Sequence, residues 1–284
     1  MKADCHIHMV LDAQDWKNAI ARHSQCPDIP YIRNVLRTYQ DLGYAYLRDG
    51  GDRWGVSAAA RQLAPEYGIA YTTPLSPISK HGHYGGFIGQ QFSTFREYAQ
   101  LVAEHRQQGA DFIKIMISGL MDFRQFGVLS QEGLPEEDIR EMVHIAHEEG
   151  FAVMAHANGA RVLEAAAVAG VDSVEHGAYA DKAALQAMAE SKLVWVPTVS
   201  TVGNLLNFND PDRFDNTQVQ LLLENFLENI AYFAGLGGTI APGTDAGAWG
   251  VPHGCQTEEK WLLQAGITQL QLQHGIEEIV KRFQ

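Results

Sequence analysis

Eight short apolar runs alternate with longer amphipathic stretches along the whole 284-residue chain. The runs are Ala3–His8, Tyr44–Arg48, Ile69–Leu75, Phe112–Ile117, Phe151–Ala155, Val171–Glu175, Leu193–Val196 and Thr239–Ala241. Helical periodicity covers Asp12–His23, Ile29–Leu42, Val56–Tyr67, Thr94–Gln108 and Pro135–Glu149. It continues in a segment ending at Ala169, over Lys182–Glu190, in a segment ending at Ala234, over Thr257–Ala265, and in a last stretch at Thr268–Phe283. Gly109, Gly150 and Gly170 each stop a helix just before a run begins, as αβ junctions require. Eight strands alternating with helices predict an α/β fold, a (β/α)8 TIM barrel, with an open doubly wound sheet as the alternative. The length is close to the roughly 250 residues of one such barrel. No linker, repeat or low-complexity segment divides it, so a single domain over 1–284 is expected.

Composition narrows the function classes. No apolar run approaches the roughly 18 residues that span a bilayer, and polar residues interrupt the first six positions, unlike a signal peptide. Three cysteines, an odd number, favour a reducing compartment over a disulfide framework. The expected location is the cytoplasm. A net charge of −13 argues against nucleic acid and anionic membrane as partners. It leaves an anionic small-molecule substrate open, because bound metal ions dominate a local field. Assembly into a homo-oligomer stays open.

Six polar side chains sit at the ends of these runs: His6, His8, Lys114, His156, His176 and Asp245. A (β/α)8 barrel builds its site from such positions, at the C-terminal ends of its strands. His6 and His8 have strand spacing, so they share a face with Asp4. Imidazole ligates Zn²⁺ and similar ions, and Asp4 is placed to accept a hydrogen bond behind it. Two polar residues on an exposed edge strand would show the same spacing. Three roles compete for Lys114: a structural lysine that snorkels from the barrel end, an amine that forms a Schiff base, and a CO₂-carboxylated side chain that bridges two metals. His156 and His176 end adjacent strands, where one alone would read as a loop or core histidine. Asp245 follows the eighth run and suits a metal ligand and proton acceptor; alone it would read as a helix N-cap.

The set is more specific than its members. Closure of the barrel brings the eighth strand beside the first, so Asp245 falls next to His6 and His8. His156 and His176 lie across the mouth, with Lys114 beside His156. One ion would then be held by His6, His8 and Asp245, a second by His156 and His176, with a carboxylated Lys114 between them.

This pattern resembles the amidohydrolase superfamily of metal-dependent hydrolases, whose hallmark is His-x-His on the first strand, a carboxylated Lys on the fourth, His on the fifth and sixth, and Asp on the eighth. Local similarity is to the imidazolonepropionase-like and Xaa-Pro dipeptidase-like branch. It is carried by Phe112-Ile113-Lys114-Ile115, His156-Ala157-Asn158-Gly159, Val171-Asp172-Ser173-Val174-Glu175-His176-Gly177, Gly243-Thr244-Asp245 and Pro252-His253-Gly254. The resemblance spans nearly the whole chain. It implies two divalent ions (Zn²⁺ by default, Mn²⁺, Fe²⁺ or Co²⁺ as substitutes) that activate a hydroxide to cleave an amide-type C–N bond in a dipeptide, N-acyl amino acid or cyclic amide. Asp245 would be the catalytic proton carrier. Lactone and phosphoester hydrolysis use the same arrangement. Many members of that branch also carry an accessory β-sandwich; none is expected here, because the first run starts at Ala3 and one helix follows the eighth βα unit.

Specificity would come from the βα loops. Candidate substrate contacts are His83 and Tyr84 in the Gly-rich loop after the third run, Arg124 after the fourth, and His253 after the eighth. Asp49 is assigned to loop structure. Two other readings remain: a Schiff-base lyase through Lys114, since Asp111-Phe112-Ile113-Lys114 is similar to the lysine strand of deoxyribose-phosphate aldolases, and a metal-bound barrel that only binds a ligand.

Overall fold

The computed structural model describes all of residues 1–284. Ten strands form: β1 (Ala3–Ile7), β2 (Tyr46–Asp49), β3 (Ala70–Thr72), β4 (Ile78–Lys80), β5 (Gln90–Phe92), β6 (Ile113–Met116), β7 (Val153–Ala157), β8 (Ser173–His176), β9 (Val194–Val196) and β10 (Thr239–Ile240). They make two parallel sheets, in the orders β1-β2-β3 and β10-β9-β8-β7-β6-β4-β5. Each of the eight apolar runs overlaps a strand, and β2, β7 and β8 continue one or two residues beyond the run. The extra pair, β4 and β5, falls in the Gly-rich segment expected to be a loop. Three-residue strands set among Gly and Pro carry too little periodicity to be read locally.

Backbone segments flanking the strands join the two sheets at two places. At one, Cys5 N donates to Pro242 O (2.9 Å), Asp245 N to His6 O (2.7 Å) and His8 N to Ala246 O (2.7 Å). At the other, Asp111 N donates to Thr73 O (3.1 Å), and Thr73 N to the Asp111 carboxylate (2.8 Å). The backbone of residues 242–246 thus extends the pairing of β10 onto β1.

Eleven helices separate the strands: α1 (Trp16–Arg22), α2 (Ile29–Asp41), α3 (Val56–Leu63), α4 (Phe95–Gln107), α5 (Glu136–Glu148), α6 (Ala160–Ala169), α7 (Lys182–Ser191), α8 (Ser200–Gly203), α9 (Asn216–Gly235), α10 (Thr257–Gln264) and α11 (Gln269–Phe283). Side chains of Asp15, Asp28, Thr94, Asp181 and Asp215 cap α1, α2, α4, α7 and α9, satisfying N–H groups that lack intrahelical partners. The helix expected to reach Tyr67 tightens after Leu63 into a 3₁₀ turn holding Pro65, which has no amide hydrogen to continue the ladder.

The largest core cluster packs β6–β9 against the helices that follow them, and a second packs β1–β3 against α1–α3. A third joins Cys5, Tyr46, Phe112, Met154 and Val194 to Ile276, Ile279 and Phe283 of α11. Burial of Phe283 alone stabilises by roughly 1.5–3 kcal/mol. With apolar side chains and α11 filling the starts of the strands, the polar residues are left to the other end. No helix is long and apolar enough to cross a membrane.

Candidate metal centre

Register brings the strand ends together. Met116 pairs with His156, and Ala157 with His176, so the ends of β6, β7 and β8 form one rim. Rings of His156 and His176 have centroids 4.5 Å apart, His6 and His176 5.2 Å, and His6 and His8 5.3 Å. The Asp245 Oδ1 atom lies 3.4 Å from His8 Nε2 and 3.6 Å from His6 Nε2. Ligating atoms of His6, His176 and Asp245 all fall within 4.8 Å of one another.

Backbone conformation contributes. His176 and Asp245 both adopt positive φ, 69° and 59°, a region costly for residues with a Cβ and tolerated where the surroundings impose it. At Asp245 the imposing contact is the hydrogen bond its backbone N–H donates to His6 O. Gly50 matters by what it lacks, since a Cβ there would lie 2.3 Å from His8 Cε1. The His8 ring occupies that space.

Hydrogen bonds select the free nitrogen of three of the four rings. His6 Nδ1–H donates to Glu175 Oε2 (2.8 Å), leaving Nε2 for the centre. His176 Nδ1 bonds the Thr198 hydroxyl (2.7 Å), again leaving Nε2. His156 Nε2–H donates to Gly119 O (3.2 Å), leaving Nδ1. Partners of this kind fix tautomer and orientation in metal-ligating histidines. Behind Glu175 lies Arg48, fully buried, donating to both carboxylate oxygens (2.9 and 3.0 Å), to Ser173 Oγ (2.8 Å) and to Cys5 O (2.7 Å).

Electrostatics favour the ligating forms. Burial pulls the His8 and His156 rings down to about 3, with the Lys114 charge adding to it. His6 and His176 are also driven well below the usual histidine range, first by burial. All four rings are therefore neutral at pH 7, as ligation requires. Burial likewise lowers the Lys114 amine and raises the Asp245 carboxyl. His8 Nδ1, Lys114 Nζ and Asp245 Oδ1 are buried without a hydrogen-bond partner. Such orphans are costly; a divalent ion would satisfy the Asp245 oxygen, and carboxylation of Lys114 would replace its unpartnered amine with a second anionic ligand. The residues present therefore fit a metal centre.

The remaining sequence candidates divide. Tyr84 is brought onto His156, ring centroids 4.9 Å apart, and His83 is half-buried one residue before it. Arg124 is exposed and borders a hollow of about 300 Å³ with Asn209, Asp210 and Phe214. His253 uses both ring nitrogens, on Leu11 O (3.0 Å) and the Tyr39 hydroxyl (3.3 Å), and keeps none for a substrate. Asp49 accepts from Met9 N, Gly51 N and the Tyr71 hydroxyl, a loop-organising role. Asp4 accepts from His6 N and from both the amide and hydroxyl of Thr244, so it ties β1 to the backbone before Asp245 rather than supporting an imidazole.

That supporting role belongs to Glu175, which sequence reasoning passed over. The available signal was a carboxylate inside an apolar run, together with the arginine that ends the second run. A hollow of about 330 Å³ between Lys2, Gly243, Glu258 and Gln273 lies apart from the ligand cluster. Its buried carboxyls, Asp4 and Glu258, already accept backbone hydrogen bonds.

No family model matches the chain. It is 27% identical over 284 residues to ochratoxinase of Aspergillus niger, covering 87% of this chain and 57% of that protein. The chain thus spans little more than half the length of this relative. Among solved structures, it superposes on a Xaa-Pro dipeptidase with bound methionine at a TM-score of 0.79, with 21% identity, over 98% of this chain and 75% of the other. An amidohydrolase structure gives a TM-score of 0.78, with 20% identity, over 99% and 74% of the two chains. In fold the chain matches amidohydrolase structures, and its sequence likeness and strand-end pattern are consistent with membership of the amidohydrolase superfamily.

Proposed function

We propose that the chain is a metal-dependent hydrolase that cleaves an amide-type C–N bond in a dipeptide, N-acyl amino acid or cyclic amide, on a closed (β/α)8 barrel. The observation that carries this reading is the convergence at one rim of four neutral imidazoles, a carboxyl group and a buried amine, with Lys114 Nζ and Asp245 Oδ1 unpartnered. His6, His8 and Asp245 would hold one divalent ion and His156 and His176 a second, with a CO₂-derived carboxylate on Lys114 between them. Zn²⁺ suits this mixed donor set, as do Mn²⁺, Fe²⁺ and Co²⁺. When bound, the ions supply Lewis acidity, bringing the pKa of water towards about 7 and polarising a carbonyl oxygen.

The chain's own residues do the rest. Asp245 Oδ1 takes a proton from the attacking water and returns it to the departing nitrogen. Glu175, Thr198 and Gly119 hold three imidazoles in register, so the ligand geometry is set before substrate arrives. The Tyr84 ring packs against His156. Ester substrates, lactones or phosphoesters, would meet the same groups. A Schiff-base role for Lys114 would leave four clustered histidines without a task.

Metal content per chain, by plasma mass spectrometry on protein purified without chelator, tests the reading. About two ions are expected in the wild type and clearly fewer in Lys114→Ala, followed by hydrolysis in a panel of dipeptides, N-acyl amino acids and lactones. A metal-free wild type after reconstitution with Zn²⁺ or Mn²⁺ in bicarbonate overturns it.

A further inference from the structure

A line of aromatic rings leads outward from the ligand cluster. Tyr84 lies on His156 with planes 36° apart. Phe87 follows at 5.6 Å from Tyr84, and Trp16 at 5.3 Å from Phe87, edge to face. Tyr84 and Phe87 are half-buried, whereas Trp16 is 48% exposed. Trp16 opens α1, at the end of the loop that leaves His6 and His8; the other two come from the connection between β4 and β5. Two loops therefore build one continuous wall, in contact with a candidate ligand at one end and open to solvent at the other.

The local backbone is arranged for this. Gly85 has φ +110°, and a Cβ there would lie 2.6 Å from Met116 Cγ. Without one, the loop presses against the end of β6 and Tyr84 reaches His156. The wall takes no part in holding a metal. Aromatic rings bind flat and extended apolar groups by offset or edge contacts, and side chains of this kind line small-molecule sites beside a few polar groups.

We infer that Tyr84, Phe87 and Trp16 form a subsite for an aryl or extended apolar substituent on one side of the scissile bond. As a statement about substrate this rests on the amide-hydrolase reading; as a statement about an aryl-binding surface it does not.

The test uses the metal-loaded full chain and two matched substrate pairs: N-benzoylglycine against N-acetylglycine, and N-acetylphenylalanine against N-acetylalanine. The wild type should favour the aryl member of one pair by about tenfold in kcat/KM. Trp16→Ala should cut that ratio by about fivefold, and Trp16→Phe should restore most of it. Binding of 2-naphthoate, read as the fluorescence difference between wild type and Trp16→Phe, needs no turnover and should quench the Trp16 signal. Hydrolysis of the acetyl substrates with no aryl preference in either pair overturns the subsite and leaves the hydrolase reading standing. Quenching of Trp16 with no hydrolysis of any amide supports the aryl-binding surface and overturns the amide-hydrolase reading. Absence of both quenching and preference overturns the subsite.

Discussion

Glu175 Oε2 accepts the Nδ1 proton of His6 at 2.8 Å, with both side chains fully buried. Arg48 balances the carboxylate from the opposite side, and no solvent reaches any of the three. The pair links β8 to β1, so the orientation of one candidate ligand depends on a residue in the other sheet.

Glu175→Gln should therefore have two separable effects. Loss of the carboxylate behind His6 should weaken metal affinity by about 10–100-fold. Arg48 left buried and unpaired should cost about 3–5 kcal/mol of stability. The double variant Arg48→Met/Glu175→Gln should recover much of the stability and none of the affinity. Urea unfolding of metal-free protein and a chelator-competition titration measure the two separately. Full metal affinity in Glu175→Gln would remove Glu175 from the centre.

Gly50→Ala tests the space occupied by the His8 ring. The added Cβ would require His8 to move, and a displacement of about 1 Å in a catalytic group costs about 100-fold in rate. Far-ultraviolet circular dichroism should stay unchanged while bound metal and hydrolysis fall. Unchanged metal content would show that His8 is not confined there.

Lys114→Met should stabilise the metal-free protein. The amine is buried without a partner, and methionine keeps much of the stem without the polar head. A gain of about 1–3 kcal/mol is expected in urea unfolding, with loss of bound metal. Stability gained at the expense of function is the mark of a site residue.

Acid should destabilise the fold partly through His253. Burial lowers its ring from 6.5 to about 4. Above pH 6.5 the ring is neutral in both states and its full contribution is present. As pH falls from 6.5 towards 4, the unfolded chain takes up a proton that the folded one refuses, and stability is lost. The expected loss is about 2 kcal/mol after allowing for the ring's partial exposure. His253→Gln can donate to Leu11 O and accept from Tyr39 without titrating. Its unfolding free energy should fall less steeply between pH 6.5 and 4 than that of the wild type.

The alternation of strands and helices, the candidate residues at the strand ends and the αβ junction glycines are legible along the chain. Each is a local signal, read from a period or from neighbours a few positions apart. The tertiary structure decided what those residues do to one another. His6 and Glu175 are 169 positions apart and His253 and Leu11 242, so no window along the chain could pair them. The same holds for Tyr84 on His156 and for the His8 ring over Gly50. β4 and β5 escaped because three residues are too few for a period to emerge, and it is pairing with β6 that makes them a sheet. Local chemistry chooses which side chains stand at a strand end; only closure of the chain chooses their partners, because burial and hydrogen bonding depend on distance in space.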